Sequence, residues 1–166
     1  MIELSEAQTD SDLKEIRRLF VEYADGLGID LCFQNFEQEL ASLPGCYARP
    51  KGFLLLAREN DQPAGCVALR PMDHGICEMK RLYVRPAFQG KRIGIALTKS
   101  IIEKAKLIGY RQMRLDTLPS MKAAVTLYES LGFEETEAYY DNPLSGVRYL
   151  QLSLSESSKR KAAAEG

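Results

Sequence analysis

The chain lacks a second histidine and any C-x-x-C pair: His74 stands alone, and Cys32, Cys46, Cys66 and Cys77 fall at irregular spacings. Neither a zinc centre nor a redox dithiol is supported, so the cysteines read as reduced thiols of a cytoplasmic protein with no metal. No apolar run approaches the ~20 residues of a membrane span, and the opening MIELSEAQTDSDLKE is acidic and carries no signal-type h-region. No contact with a membrane is expected. Internal repeats and linkers rich in Gly, Ser or Pro are also missing. Residues 1–154 therefore read as one domain, followed by a tail, SESSKRKAAAEG (155–166), expected to be disordered. A domain of this size buries roughly two-thirds of the surface its unfolded chain exposes.

Net charge is nearly absent too, at −1, but it is unevenly spread. Lys80 to Arg114 holds ten Lys/Arg and one acid, Glu103, while the remainder holds 12 basic and 22 acidic residues. This segregation fits a polyanionic ligand on one side, and equally a helix with a solvated basic face.

The periodicity is helical at first. Leu13, Ile16, Phe20 and Tyr23 share one face, with Thr9 or Ser11 as N-cap and Gly26 as stop, and Phe33, Phe36, Leu40 and Leu43 suggest a second short helix. Then FLLLAR (53–58), GCVALR (65–70) and ICEMKRLYV (76–84) read as an antiparallel meander joined by the turns ENDQP and PMDHG. Ile93, Leu97, Ile101, Ala105 and Ile108 form a helical stripe closed by Gly109. QMRLDT (112–117) is a strand, and Ser120 caps a helix through Ala124, Leu127, Tyr128 and Leu131. Strands near EAYY and VRYLQLSL finish an α/β domain with a mixed, mostly antiparallel central sheet flanked by helices.

Between the third strand and the long helix lies RPAFQGKRIG (85–94), with glycines and cations where the helix begins. A helix start offers unpaired N–H groups and the positive end of the macrodipole, which suits a phosphate. The nucleotide P-loop is ruled out because Gly94 is followed by Ile95 and Ala96 rather than Lys and Ser/Thr, and no G-x-G-x-x-G is present.

Gln89, Gly90, Lys91, Arg92, Ile93 and Gly94 instead resemble the Q/R-x-x-G-x-G/A motif of the GNAT superfamily of N-acetyltransferases. MKRLYVRP resembles that family's fourth strand and its V-x-P exit, and AAVTLYESLGF (123–133) its L-Y-x-x-x-G-F segment, so the likeness runs over residues 10 to 154. Two positions depart from the pattern: Arg92 stands for the motif's first glycine, and Met121 for an asparagine often found there.

The resemblance implies acetyl-CoA as co-substrate, its pyrophosphate on the N–H groups of residues 90 to 95, and its 3′-phosphate accounting for the basic surplus. It places the pantetheine arm along the backbone of Leu82 and Val84, with Leu82, Tyr83, Val84, Gln89, Gly90, Lys91, Arg92, Ile93, Gly94 and Ile95 forming the cofactor site. Tyr128 matches the family's tyrosine, the general acid for the departing thiolate, although by position alone it could be a core residue. Glu78 matches a glutamate that serves as base in one branch, with ordered water or simple pairing to Lys80 as alternatives. By strand alternation Glu78 should share a face with Lys80, Leu82 and Val84, leaving Cys77 on the other. A backbone N–H near Leu82 or Tyr83 would hold the oxyanion. His74 reads as a solvated turn residue. Asp116 either ends its strand or borders the acceptor site, and Tyr23, Phe33, Tyr139 and Tyr140 fall where the family walls that site.

The expected activity is direct, sequential acetyl transfer to a primary amine of a small molecule or peptide, by a monomer or homodimer. The alternatives are an acyl-CoA-binding module without turnover and a nucleic-acid-binding domain on the basic stretch. The second lacks the aromatic platform that single-strand binding uses, so no nucleic-acid partner is expected.

Overall fold

The structure, a computed structural model, describes residues 1–27, 35–139 and 146–154. Cys32, Phe33, Tyr140 and the tail 155–166 lie outside them. A seven-stranded sheet runs in the order β1-β2-β3-β4-β5-β7-β6. Its strands are β1 (Ile2–Glu6), β2 (Phe53–Glu59), β3 (Gln62–Pro71), β4 (Ile76–Val84), β5 (Gln112–Thr117), β6 (Glu134–Thr136) and β7 (Arg148–Ser153). The helices are α1 (Asp10–Leu27), α2 (Phe36–Ala41), α3 (Ile93–Ile108) and α4 (Lys122–Ser130).

Helix α1 starts where Thr9 Oγ1 accepts the Asp12 N–H at 3.0 Å. Asp12 Oδ2 reaches back to the Thr9 N–H (3.5 Å), forming a reciprocal cap. Strand β2 is a continuous apolar run because both its faces are covered. Phe53, Leu55 and Ala57 join the core under α3 and α4, while Leu54 and Leu56 join Ile16, Leu19 and Phe20 of α1. Cys77 and Met79 pack on the α3 side, as alternation requires.

Three details depart from the sequence reading. Ile2–Glu6 forms an edge strand on β2, with Ile2 opposite Glu59. The strand expected near EAYY is instead Glu134–Thr136, and Met121 rather than Ser120 precedes α4, with no side-chain cap.

Two irregularities shape the middle of the sheet. Strands β4 and β5, the one parallel pair among the described residues, are in register only from Ile76 opposite Gln112 to Glu78 opposite Arg114. Beyond that point β5 stays with β7 as far as Thr117, and β4 stays with β3 as far as Val84, so the sheet opens into a fork. On the β3 side, Cys66 lies opposite Tyr83 but Ala68 opposite Lys80, so Val67 faces both Arg81 and Leu82. This is a bulge, with Arg81 at φ 61°. The extra residue overturns the expected alternation. Leu82 and Val84 pack against the α3 core, whereas Lys80 lines the opposite face beside Tyr47 and Arg70.

Candidate active site

Strand β4 leaves through Arg85 into a 3-10 turn, Pro86–Phe88, and reaches α3 across Gly90 (φ 82°) and Arg92 (φ 64°). Both residues are left-handed, which turns the chain so that the first N–H groups of α3 face outward. A pocket of about 540 Å³ opens there, walled by Val84, Gln89, Gly90, Arg92 and Ile93–Ile95 on one side and by Ala123, Thr126 and Leu127 of α4 on the other. Seven of the ten residues expected at the cofactor therefore converge. Gly94 leaves space rather than relieving strain, since a Cβ there would meet only Val84 Cγ2 at 3.8 Å.

The side chains of the other three residues point elsewhere. Tyr83 lies on the opposite face, its ring edge-on to Tyr23 at 6.4 Å. Leu82 lies in the core margin, and Lys91 Nζ sits on the Glu59 carboxylate at 2.9 Å. Part of the basic surplus read from the sequence is also paired within the fold. Arg81 is held by Glu39, Arg85 by Glu22 and Lys106 by Glu103. The Val84 carbonyl, expected to meet the pantetheine, accepts from Gln89 Nε2 at 3.3 Å.

Tyr128 lies on the buried side of α4. It is 5% exposed, its ring tilted against Phe133 at 5.6 Å. Burial pushes its phenol well above the usual range, and nearby Tyr23 and Asp116 push in the same direction. Tyr23 comes from α1 and Asp116 from β5, so groups on two different elements add to the effect of burial. Thr117 Oγ1, at the end of β5, is buried without a hydrogen-bond partner among the described residues.

A second cleft, of about 460 Å³, lies on the α2 face and is bordered by Glu39, Tyr47, Arg70, Lys80 and Tyr139. Beneath it is Glu78, fully buried. Arg70 Nε donates to Glu78 Oε1 at 2.6 Å and the Tyr139 hydroxyl donates to Oε2 at 2.7 Å. Arg81 donates twice to Glu39, at 3.0 and 2.8 Å, and lies over the rings of Tyr23 and Phe36. Burial lowers the Lys80 pKa, partly offset by Glu78. Arg70 escaped the sequence reading. It ends the run GCVALR, and its alternation with Cys66 and Ala68 was the available signal. His74, as expected, is an exposed turn residue.

Residues 13–133 match the acetyltransferase (GNAT) family. The chain belongs to the GNAT family. An uncharacterized N-acetyltransferase of Schizosaccharomyces pombe is 44% identical over 93% of this chain and 96% of its own length. A GNAT-family acetyltransferase structure from Staphylococcus aureus superposes with a TM-score of 0.78, covering 93% of this chain and all of that one at 20% identity. A Salmonella typhimurium structure solved with its cofactor acetyl-CoA gives 0.68, over 93% and 95% of the two chains at 22% identity. This GNAT protein is thus an acetyl-CoA-dependent N-acetyltransferase. Its glycine-walled pocket at the α3 N-terminus and the fork beside it suit a pyrophosphate with an extended arm. No helix among the described residues is long and apolar enough to cross a membrane.

Proposed function

We propose that this chain transfers an acetyl group directly to the primary amine of a small molecule or peptide, in the cytoplasm, with the two reactants entering from opposite faces of the fork. The observation that carries this reading is the glycine-walled pocket at the N-terminus of α3, with the polar cleft over Glu78 as a second opening. Helix α4, which walls that pocket with Ala123, Thr126 and Leu127, also carries Tyr128, the acid in this reading. Acetyl-CoA supplies the activated acetyl thioester. The N–H groups of residues 90 to 95 would hold its pyrophosphate, with the α3 dipole adding to their attraction. The edge of β4 left bare by the fork would take the arm.

Tyr128 Oη holds the proton that a departing thiolate needs. Its elevated pKa keeps that proton in place throughout the neutral range. Glu78 is sealed from solvent, so the acceptor's proton reaches it through Tyr139: the phenolic oxygen takes a proton from the amine as its own passes to Glu78 Oε2 along the existing 2.7 Å hydrogen bond. Arg70 Nε stays on the other carboxylate oxygen, Oε1, at 2.6 Å. Main-chain N–H groups at the Arg81 bulge would stabilise charge on the carbonyl oxygen.

Acetyl-CoA should stabilise the fold far more than acetate or AMP does. At a ligand concentration of 100 Kd the linkage is about 2.7 kcal/mol. Release of CoA thiol on adding an amine panel then separates an enzyme from an acyl-CoA-binding module. No melting shift at millimolar acetyl-CoA would overturn the reading.

A further inference from the structure

The cleft above Glu78 has a charge pattern that the acetyl-transfer chemistry does not require. Its cations, Arg70 and Lys80, come from adjacent strands. Arg70 lies opposite Glu78 and Lys80 opposite Ala68, so the two stand diagonally across β3 and β4 on one face. Of the acids near the cleft, Asp116 of β5 acts electrostatically on Lys80, and the other two are held by arginines. Glu39 gives both oxygens to Arg81, and Glu78 is fully buried, with one oxygen on Arg70 and the other on Tyr139.

Arg70 spends only its Nε edge on Glu78. Its Nη groups make no hydrogen bond among the described residues, and the side chain remains 36% exposed at the cleft wall. A guanidinium anchored on one edge and open on the other is preorganised for a second planar anion, because its donors form a rigid fork matching a carboxylate. The Tyr139 hydroxyl, which the proposed proton path assigns to the amine, borders the same cleft.

We infer that the acceptor is an amino acid, its α-carboxylate held by the Arg70 Nη groups with Lys80 beside them and its α-amine presented to Tyr139. This inference rests on the acetyl-transfer reading and names the substrate class for the same site. The arrangement discriminates against polyamines and other acceptors whose only charges are positive, since these would bring cations against Arg70 and Lys80. Burial already disfavours the charged form of Lys80, and an incoming carboxylate would favour it again.

The test uses the wild-type protein, acetyl-CoA and a thiol-release readout. Each of the twenty proteinogenic amino acids is compared with its α-amide, which keeps the side chain and removes the negative charge. Amides have the less basic amine and hence more of it neutral, so simple reactivity favours them. At least a tenfold higher kcat/KM for the best acid over its own amide is expected, and Arg70→Gln should erase that ratio mainly by raising KM for the acid. Comparison of the wild-type pair stands even if the variant misfolds. Amides turned over as well as or better than the acids, or turnover of none of the acids, overturns the inference. If acetyl-CoA stabilisation is intact in that case, the acetyl-transfer reading survives; if that stabilisation is also missing, both fall.

Discussion

Replacing Arg92 by glycine should move stability and cofactor affinity in opposite directions. Arg92 has φ 64° at the start of α3, a left-handed geometry that costs a residue with a Cβ about 1–2 kcal/mol. Its side chain is exposed and makes no hydrogen bond or ion pair among the described residues, so the unliganded fold loses no contact. Glycine gives back about 0.4–1 kcal/mol through the freer unfolded chain. The net is a stabilisation of about 0.5–1 kcal/mol, or about 2 °C in Tm for a chain of this size. Arg92 also borders the pocket, and losing one partly exposed cation near a pyrophosphate should cost about 1 kcal/mol, roughly fivefold in Kd. Thermal melts with and without acetyl-CoA, repeated at two salt concentrations, read both effects. A lower Tm for the unliganded variant would show that the arginine supports the loop. Unchanged acetyl-CoA affinity would remove its charge from the binding site.

Gly94→Glu should remain folded, because its Cβ has room at 3.8 Å from Val84 Cγ2, yet lose the acetyl-CoA-induced melting shift; retained affinity would refute the pocket assignment. Glu78→Gln and Tyr139→Phe should give the same altered pH profile, with rates depressed most at low pH and recovering as the pH approaches the acceptor amine's own pKa. An unchanged profile in both would hand the proton to water. Asp12→Asn should cost about 1 kcal/mol near pH 7 in urea melts. Arg58 holds the Asp12 carboxyl below its ordinary value, so the stabilisation is present above that value and is lost as pH falls through the depressed one. A stability gap that persists in strong acid would contradict this.

The glycine pattern, the helix stripes and the meander were legible because each rests on local periodicity or on a residue type needed at one spot. Gly109 closes α3 at φ 110°, as its place after the last apolar residue foretold. The two sides of the site were harder to read. A strand's alternation holds only until a bulge, and the bulge at Arg81 has no signature in KRLYV; its left-handed φ is imposed by pairing with β3. The fork was equally invisible to composition, because it reflects β5 following β7 while β4 follows β3. Edge strand β1 did alternate, Ile2 and Leu4 against Glu3 and Ser5, but its acidic surroundings masked that pattern. Charge misled most. The stretch from Lys80 to Arg114 looked like a surface awaiting an anion, yet Arg81, Arg85 and Lys91 are bound to carboxylates distant in sequence. Only tertiary structure brings Glu39, Glu22 and Glu59 to them.

The most direct test of the central claim is steady-state CoA-thiol release by Tyr128→Phe at saturating acetyl-CoA, with acetyl-CoA binding measured on the same protein. Removal of one hydroxyl from a buried ring should leave the fold and cofactor affinity intact while kcat falls by about 100-fold or more. That loss should be nearly uniform across the neutral pH range, where the buried phenol stays protonated. A wild-type rate in this variant would return Tyr128 to the core and leave the fork without its acid.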